Sequence, residues 1–80
     1  MSHWNHRILA VAYNNDIYFQ IHEVYYTDDC IPNGYSTNPI TIGGEDIKGM
    51  IWQINRIKQC MKKPILWAGE NFPNEYKTNN

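Results

Sequence analysis

The chain has 80 residues, of which 42% are hydrophobic and 14% aromatic, and its formal net charge is −1. This length allows a single domain, close to the lower size at which a core folds unaided, and much of that core must consist of Tyr, Trp and Phe. A nearly neutral charge argues against a general nucleic-acid or membrane binder, because such domains carry a clear excess of Lys and Arg. Small size and amphipathic aromatic residues make a homodimer the default expectation.

Two runs rich in β-forming residues open the chain. Residues 4–13 (WNHRILAVAY) and 17–27 (IYFQIHEVYYT) are separated by Asn14, Asn15 and Asp16. Asn and Asp tolerate left-handed backbone and favour turns, so the sequence predicts a β-hairpin.

The two faces of the second strand differ in character, because successive side chains point to opposite sides. One face looks like the side that meets a helix and carries Ile17, Phe19, Ile21, Glu23 and Tyr25. The other face is amphipathic and carries Tyr18, Gln20, His22, Val24 and Tyr26. We expect this second face to be solvent-exposed or half covered by a second subunit. The first strand is apolar on both faces.

A loop and a short third strand follow the hairpin. Residues 28–38 are predicted to form the loop, with Pro32, Asn33 and Gly34 as a tight turn. A strand at about residues 35–42 is expected at a sheet edge or interrupted, because Pro39 cannot donate a hydrogen bond to a neighbouring strand.

Residues 43–64 carry the only sustained helical period in the chain. Its apolar stripe consists of Ile47, Met50, Ile51, Ile54, Ile57 and Met61. We expect this stripe to face the sheet, with Ile54 buried at the centre of the contact. Gly44 is the predicted N-cap, Glu45 and Asp46 would lie in the first turn, and Pro64 ends the helix.

Trp52 lies away from this stripe, on the polar side of the predicted helix. Arg56, four residues further on, is placed to form a cation–π pair with it. One interpretation is that the chain after Pro64 folds back and covers Trp52 with Phe72 or Tyr76. The other is that Trp52 is an exposed anchor for a partner, since Trp and Arg are enriched at binding hot spots.

The last apolar cluster, residues 65–67, is predicted to close the core or to add a short strand. Residues 68–80 have the composition of a loosely ordered tail, so the compact domain is expected to span residues 1–67. The predicted fold class is α+β: a three-stranded antiparallel sheet in β-β-β-α order with one long helix packed on one face.

No catalytic, metal or cofactor site is predicted. His3 and His6 would face opposite sides of a strand, which is poor geometry for one metal ion. Cys30 and Cys60 form no C-x-x-C pair, and we expect free thiols in a reducing cytoplasm, with a disulfide between them left open. No signal peptide or apolar run of membrane-spanning length is present, which indicates a cytoplasmic protein without a membrane partner.

Several segments carry a resemblance to a known family. They are WNHRI at 4–8, IHEVYY at 21–26, PNGY at 32–35, NPI at 38–40 and KPIL at 63–66. With them the chain resembles a small uncharacterised bacterial protein family, which implies a compact strand–strand–strand–helix domain and no activity. Cys30 and the extension after Trp67 depart from that pattern. The element order is more loosely similar to HicB-type antitoxins, whose signature in the second strand is absent here.

The function predicted from the sequence is that of a small non-enzymatic protein-interaction or regulatory module, with a protein partner or a second copy. The candidate interaction residues are Trp52, Arg56, Tyr18, His22 and Tyr26. The alternative is a nucleic-acid-associated, antitoxin-like regulator that uses the basic helix, in which Lys48, Arg56, Lys58, Lys62 and Lys63 are concentrated. Nucleic acid is possible as a partner but not favoured.

Overall fold

The computed structural model describes residues 3–77, which form an α+β domain with one α-helix and one mixed sheet. The elements in chain order are β1 (His3–Tyr13), β2 (Asp16–Tyr26), β3 (Pro32–Tyr35), α1 (Ile47–Cys60), β4 (Leu66–Trp67) and a 3₁₀ turn (Gly69–Asn71). The strand order in the sheet is β3-β2-β1-β4. The predicted α+β class is confirmed. The prediction of three antiparallel strands is wrong, because β4 joins the other side of β1 and runs parallel to it.

The hairpin of β1 and β2 is confirmed. Its turn consists of Asn14 and Asn15, which adopt φ angles of 48° and 70°. Two consecutive positive φ angles match the right-handed twist of the paired strands, and Asn tolerates them at low cost. The antiparallel register runs unbroken from Tyr13 opposite Asp16 to His3 opposite Tyr26.

The third strand begins earlier than predicted, so the expected turn at Pro32, Asn33 and Gly34 is wrong. These residues pair with the end of β2. The chain reverses before them, where the Cys30 amide donates to the Thr27 carbonyl at 2.9 Å. Pro32 needs no partner for an amide hydrogen, and β3 is an edge strand that tolerates it.

The chain after β4 folds back along it. The Trp67 amide donates to the Asn74 carbonyl at 2.8 Å, and the Tyr76 amide donates to the Ile65 carbonyl at 2.7 Å. The segment predicted as a loose tail is therefore hydrogen-bonded to the domain as far as Tyr76. Residues 78–80 of that predicted tail lie outside the described residues.

The sheet has two faces, which we name the core face and the helix face. The core face carries the odd-numbered side chains of β1 and the even-numbered ones of β2, and the helix face carries the others. The buried cluster on the core face consists of Leu9, Val24, Tyr26 and Leu66, packed against Tyr35, Ala68 and Phe72. The expectation that this face is exposed is therefore wrong for His22, Val24 and Tyr26, which are buried. Leu66, Ala68 and Phe72 pack around Val24 and Tyr26, whereas His22 contacts Ser36 and Tyr35.

The helix α1 is shorter than the predicted stretch and is capped by Asp46 instead of Gly44. The Asp46 carboxylate accepts a hydrogen bond from the Gly49 amide at 2.8 Å, which satisfies one of the free donors of the first turn. Gly44 packs against this turn. A Cβ at Gly44 would lie 3.2 Å from the Met50 nitrogen, so the close approach requires glycine.

Only two residues of the predicted apolar stripe of α1, Met50 and Ile57, lie on its less exposed side. The least exposed residues of the helix are Gly49, Met50, Gln53, Arg56, Ile57 and Cys60. Met50 and Ile57 belong to the predicted stripe and the other four do not, so the centre of the inner side is turned from the centre of the stripe by roughly 100°. Ile54 is 41% exposed, so the prediction that it lies at the centre of the helix–sheet contact is wrong. Gln53 joins α1 to the loop before it, because its side-chain amide donates to the Thr41 carbonyl at 2.8 Å.

Candidate functional site

Arg56 lies between two tryptophans. Its guanidinium carbon is 4.8 Å from the centre of the Trp4 ring and 5.0 Å from that of Trp52. Trp4 belongs to the helix face of β1, and Trp52 precedes Arg56 by one turn of α1, so the strand and the helix together form the stack. Both contacts have cation–π geometry. The buried Nε of Arg56 has no hydrogen-bond partner among the described residues.

A cleft opens beside this stack, between the first half of β1 and the end of α1. Its volume is about 280 Å³, and it is lined by Asn5, His6, Arg56, Gln59 and Lys63. Two of these residues are cations, two carry side-chain amides, and none is acidic. The cleft is therefore electropositive and rich in hydrogen-bond donors.

His6 is the most buried residue of the cleft. It is 6% exposed, its ring lies edge-on to Trp4 with centroids 5.3 Å apart, and its Nδ1 has no partner among the described residues. Burial lowers the pKa of His6, the positive charge of Arg56 lowers it further, and Glu23 opposes the shift. The imidazole is therefore neutral at pH 7, with one nitrogen able to donate and the other able to accept.

The second candidate surface is the outer side of α1. We name Ile47, Ile51, Ile54 and Met61 the outward row; their exposed fractions range from 41% for Ile54 to 73% for Ile47. Single exposed apolar side chains are common on proteins, but a row of four along one helix is a candidate interaction surface. From the sequence, these same residues were expected in the core.

The tail does not cover Trp52. Phe72 packs on Tyr35 with ring centroids 4.8 Å apart, and Tyr76 packs on Phe19 at 5.4 Å. Trp52 remains 56% exposed. The interpretation in which Phe72 or Tyr76 docks on this indole is therefore wrong.

The five candidate interaction residues do not form one surface. Trp52 and Arg56 lie together on the helix, whereas Tyr18 is exposed at the far end of the hairpin and contacts Tyr13. His22 and Tyr26 are buried on the core face. Their contacts are internal to the domain, and the Tyr26 hydroxyl donates to Asn5 at 2.7 Å.

Asn5, His6, Gln59 and Lys63 were missed as members of a site. Strand alternation does place Trp4 and His6 on one face, which was a usable indication. Nothing in the sequence pairs the start of the first strand with the end of the helix, and that pairing alone creates the cleft.

The remaining candidate groups are metal ligands and the two cysteine thiols. Within residues 3–77, no group of three or more His, Cys, Asp or Glu side chains could hold a metal ion. Cys30 and Cys60 are free thiols, which excludes the disulfide left open above. Burial raises the pKa of the Cys60 thiol, and nearby Arg7 partly opposes that effect.

No helix within residues 3–77 has the length and apolar character needed to cross a membrane.

No family profile, curated protein or solved structure matches the chain. The resemblances to a small bacterial family and to HicB-type antitoxins therefore stay predictions.

Proposed function

We propose that this chain is a non-enzymatic protein-interaction module that acts as a homodimer through the outward row of α1. The observation that carries the proposal is that the row is apolar, helical in spacing and left uncovered by the chain's own described residues. Burying such a row releases apolar surface from water, which is the main driving force of protein association. We place the module in the bacterial cytoplasm, a reducing compartment in which the free thiols of Cys30 and Cys60 persist.

The spacing of the outward row suits helix-to-helix packing. Steps of four, three and seven residues repeat at the average interval of a two-helix seam. A two-fold axis at Ile54 would place Ile47 of one copy against Met61 of the other and the two Ile54 side chains against each other. Such a self-complementary patch is the usual form of a symmetric dimer interface.

The charges of α1 favour an antiparallel pair. Glu45 and Asp46 precede the helix, while Lys62 and Lys63 follow it. An antiparallel arrangement brings the acidic end of one helix to the basic end of the other, whereas a parallel one places like charges together. A second copy is therefore the occupant that this surface fits best.

Sedimentation equilibrium over a wide range of protein concentration tests this proposal. The wild-type chain is expected to dimerise, and Ile54→Glu is expected to be monomeric because it buries two charges at the two-fold axis. Ile31→Glu is the matched control, since Ile31 is also apolar and exposed but lies in the turn before β3. Lys62→Glu should weaken the dimer, and adding Glu45→Lys should restore part of the affinity.

Two results would reject the homodimer. One is a wild-type chain that stays monomeric at millimolar concentration. The other is an equal loss of association in Ile31→Glu and Ile54→Glu, which would indicate nonspecific hydrophobic contact.

The second candidate function is that of an antitoxin-like, nucleic-acid-associated regulator. It is favoured by the cations of α1 and the residues after it, together with the exposed indole of Trp52 beside Arg56. Aromatic stacking and phosphate contacts are the usual basis of single-strand binding. Retention of the protein on DNA or RNA columns that falls steeply with salt concentration would support this function. Elution in the void volume at every salt concentration would reject it.

A further inference from the structure

We propose that the cleft between β1 and the end of α1 is a binding site for the phosphate group of a small phosphate monoester. This inference is independent of the homodimer, because it concerns the inner edge of α1 and not the outward row.

The charge of the cleft matches this ligand. Arg56 and Lys63 supply two positive charges, and a phosphate monoester carries between one and two negative charges near pH 7. The side-chain amide of Gln59 adds a neutral donor beside them. A carboxylate offers a single negative charge and only two oxygens, so it would leave part of this donor set unused.

The cleft also contains nitrogen atoms that lack partners. The Nδ1 of His6 and the Nε of Arg56 are both buried without a hydrogen bond among the described residues. Buried polar atoms in proteins are nearly always paired, and the exceptions call for a ligand, an ion or a function. His6 is more than nine-tenths buried and lines the cleft together with Arg56, so both unpaired nitrogens belong to residues of its wall.

Arg56 is oriented before any ligand binds. The rings of Trp4 and Trp52 lie 4.8 Å and 5.0 Å from its guanidinium carbon, which restricts the movement of the side chain. Stacking on rings uses the faces of a guanidinium and leaves its N–H edge available to oxygen atoms. A preoriented donor loses less conformational entropy on binding, which favours affinity.

The size of the cleft limits the ligand. A volume of about 280 Å³ lies at the small end of ligand sites. It accommodates a phosphate group and a compact organic part, such as a sugar, and not an extended polymer.

Calorimetric titration with glucose 6-phosphate, inorganic phosphate and acetate tests the inference. We expect both phosphates to bind and acetate to bind much more weakly. Lys63→Gln should weaken phosphate binding by about tenfold or more, the usual contribution of a hydrogen bond to a charged group. Lys62→Gln is the matched control, because it removes the same charge one residue away and does not line the cleft. Lys63 is exposed, so its replacement should not prevent folding.

The imidazole of His6 provides a second readout that nonspecific charge attraction would not move. Its pKa is affected by Arg56 from the helix side and by Glu23 from β2, and Lys63 lines the same cleft. A bound phosphate should raise the pKa of His6 in an NMR titration, because a negative charge nearby favours the protonated imidazole. The same titration in Ile54→Glu keeps the result separate from dimerisation.

Three outcomes would overturn the inference: equal weakening by Lys62→Gln and Lys63→Gln, an unchanged His6 pKa at saturating phosphate, or acetate binding as tightly as phosphate. A single-stranded oligonucleotide that binds and is not displaced by glucose 6-phosphate would also overturn it, because the cleft would then act as part of a nucleic-acid surface.

Discussion

The two faces of the sheet are covered to different extents, mainly by different parts of the chain. On the core face, Leu9 and Val24 are fully buried beneath an irregular segment that follows the helix. On the helix face, Phe19 is still 52% exposed although α1 crosses the same face. The less exposed side of α1 carries both polar and apolar residues, whereas the apolar outward row faces solvent.

This difference indicates where stability resides and which surfaces are left free. The core face supplies the apolar burial that a domain of this size needs. The helix carries the outward row on its outer side, and it borders the electropositive cleft together with the helix face of the sheet. The regular element of the chain is therefore the candidate binding element, and the irregular one completes the core.

The largest expected effect is a difference in unfolding free energy between a variant of the core face and a variant of α1. Leu9→Ala should lower the free energy of unfolding by about 2 to 5 kcal/mol, because it leaves a cavity in the core face. Ile54→Ala should lower it by less than about 1 kcal/mol, since Ile54 is partly exposed and its loss creates no cavity. Urea titration at a protein concentration low enough for monomers measures both. Equal losses would show that α1 carries as much of the core as the sheet does.

A smaller effect tests the segment after β4. Phe72→Ala should cost about 1 to 3 kcal/mol, because its ring packs on Tyr35 against the core cluster. Tyr76→Ala is the matched variant, since its ring packs on Phe19, which is exposed on the helix face. Thermal unfolding of the two variants should rank Phe72→Ala as the less stable. The reverse ranking would contradict the assignment of the core to the core face.

The contribution of the helix itself is tested at its start. Asp46→Ala should lower stability by about 1 kcal/mol, the usual loss when a capping carboxylate is removed. Glu45→Ala removes a neighbouring charge without removing the cap and should change stability by less than half as much. Urea unfolding of both variants in the same buffer gives the comparison. Equal effects would indicate that charge, not capping, stabilises this end of α1.

The smallest effect is a pH dependence that arises from the cleft. Burial lowers the pKa of His6 in the folded state below the ordinary histidine value of 6.5, and Arg56 adds to the effect. The folded state therefore binds this proton less readily than the unfolded state. The stability contribution is complete above about pH 6.5 and is lost as the pH falls below that value towards the folded-state pKa.

His6→Gln should therefore lose less stability than the wild-type chain when the pH falls from 7 to 5. Urea midpoints at several pH values measure the difference. Parallel curves for the two proteins would show that His6 does not contribute.

The sequence by itself determined those parts of the fold that depend on neighbouring residues. The hairpin follows from two β-rich runs joined by Asn14 and Asn15, whose tolerance of positive φ is a local property. The position of α1 follows from its helical period and from acidic residues near its start. These features need no information about what each element packs against.

Tertiary structure alone decided which faces are buried. A period of two or of 3.6 residues shows which side chains share a face, but both faces of the first strand and two sides of α1 carry apolar residues, so periodicity could not choose between them. The choice was made by residues distant in the chain, such as Leu66 beside Leu9 and Phe72 against Tyr35. The cleft has the same origin, because Arg56 meets Trp4 only once the helix has crossed the sheet, and this contact is invisible to any local pattern.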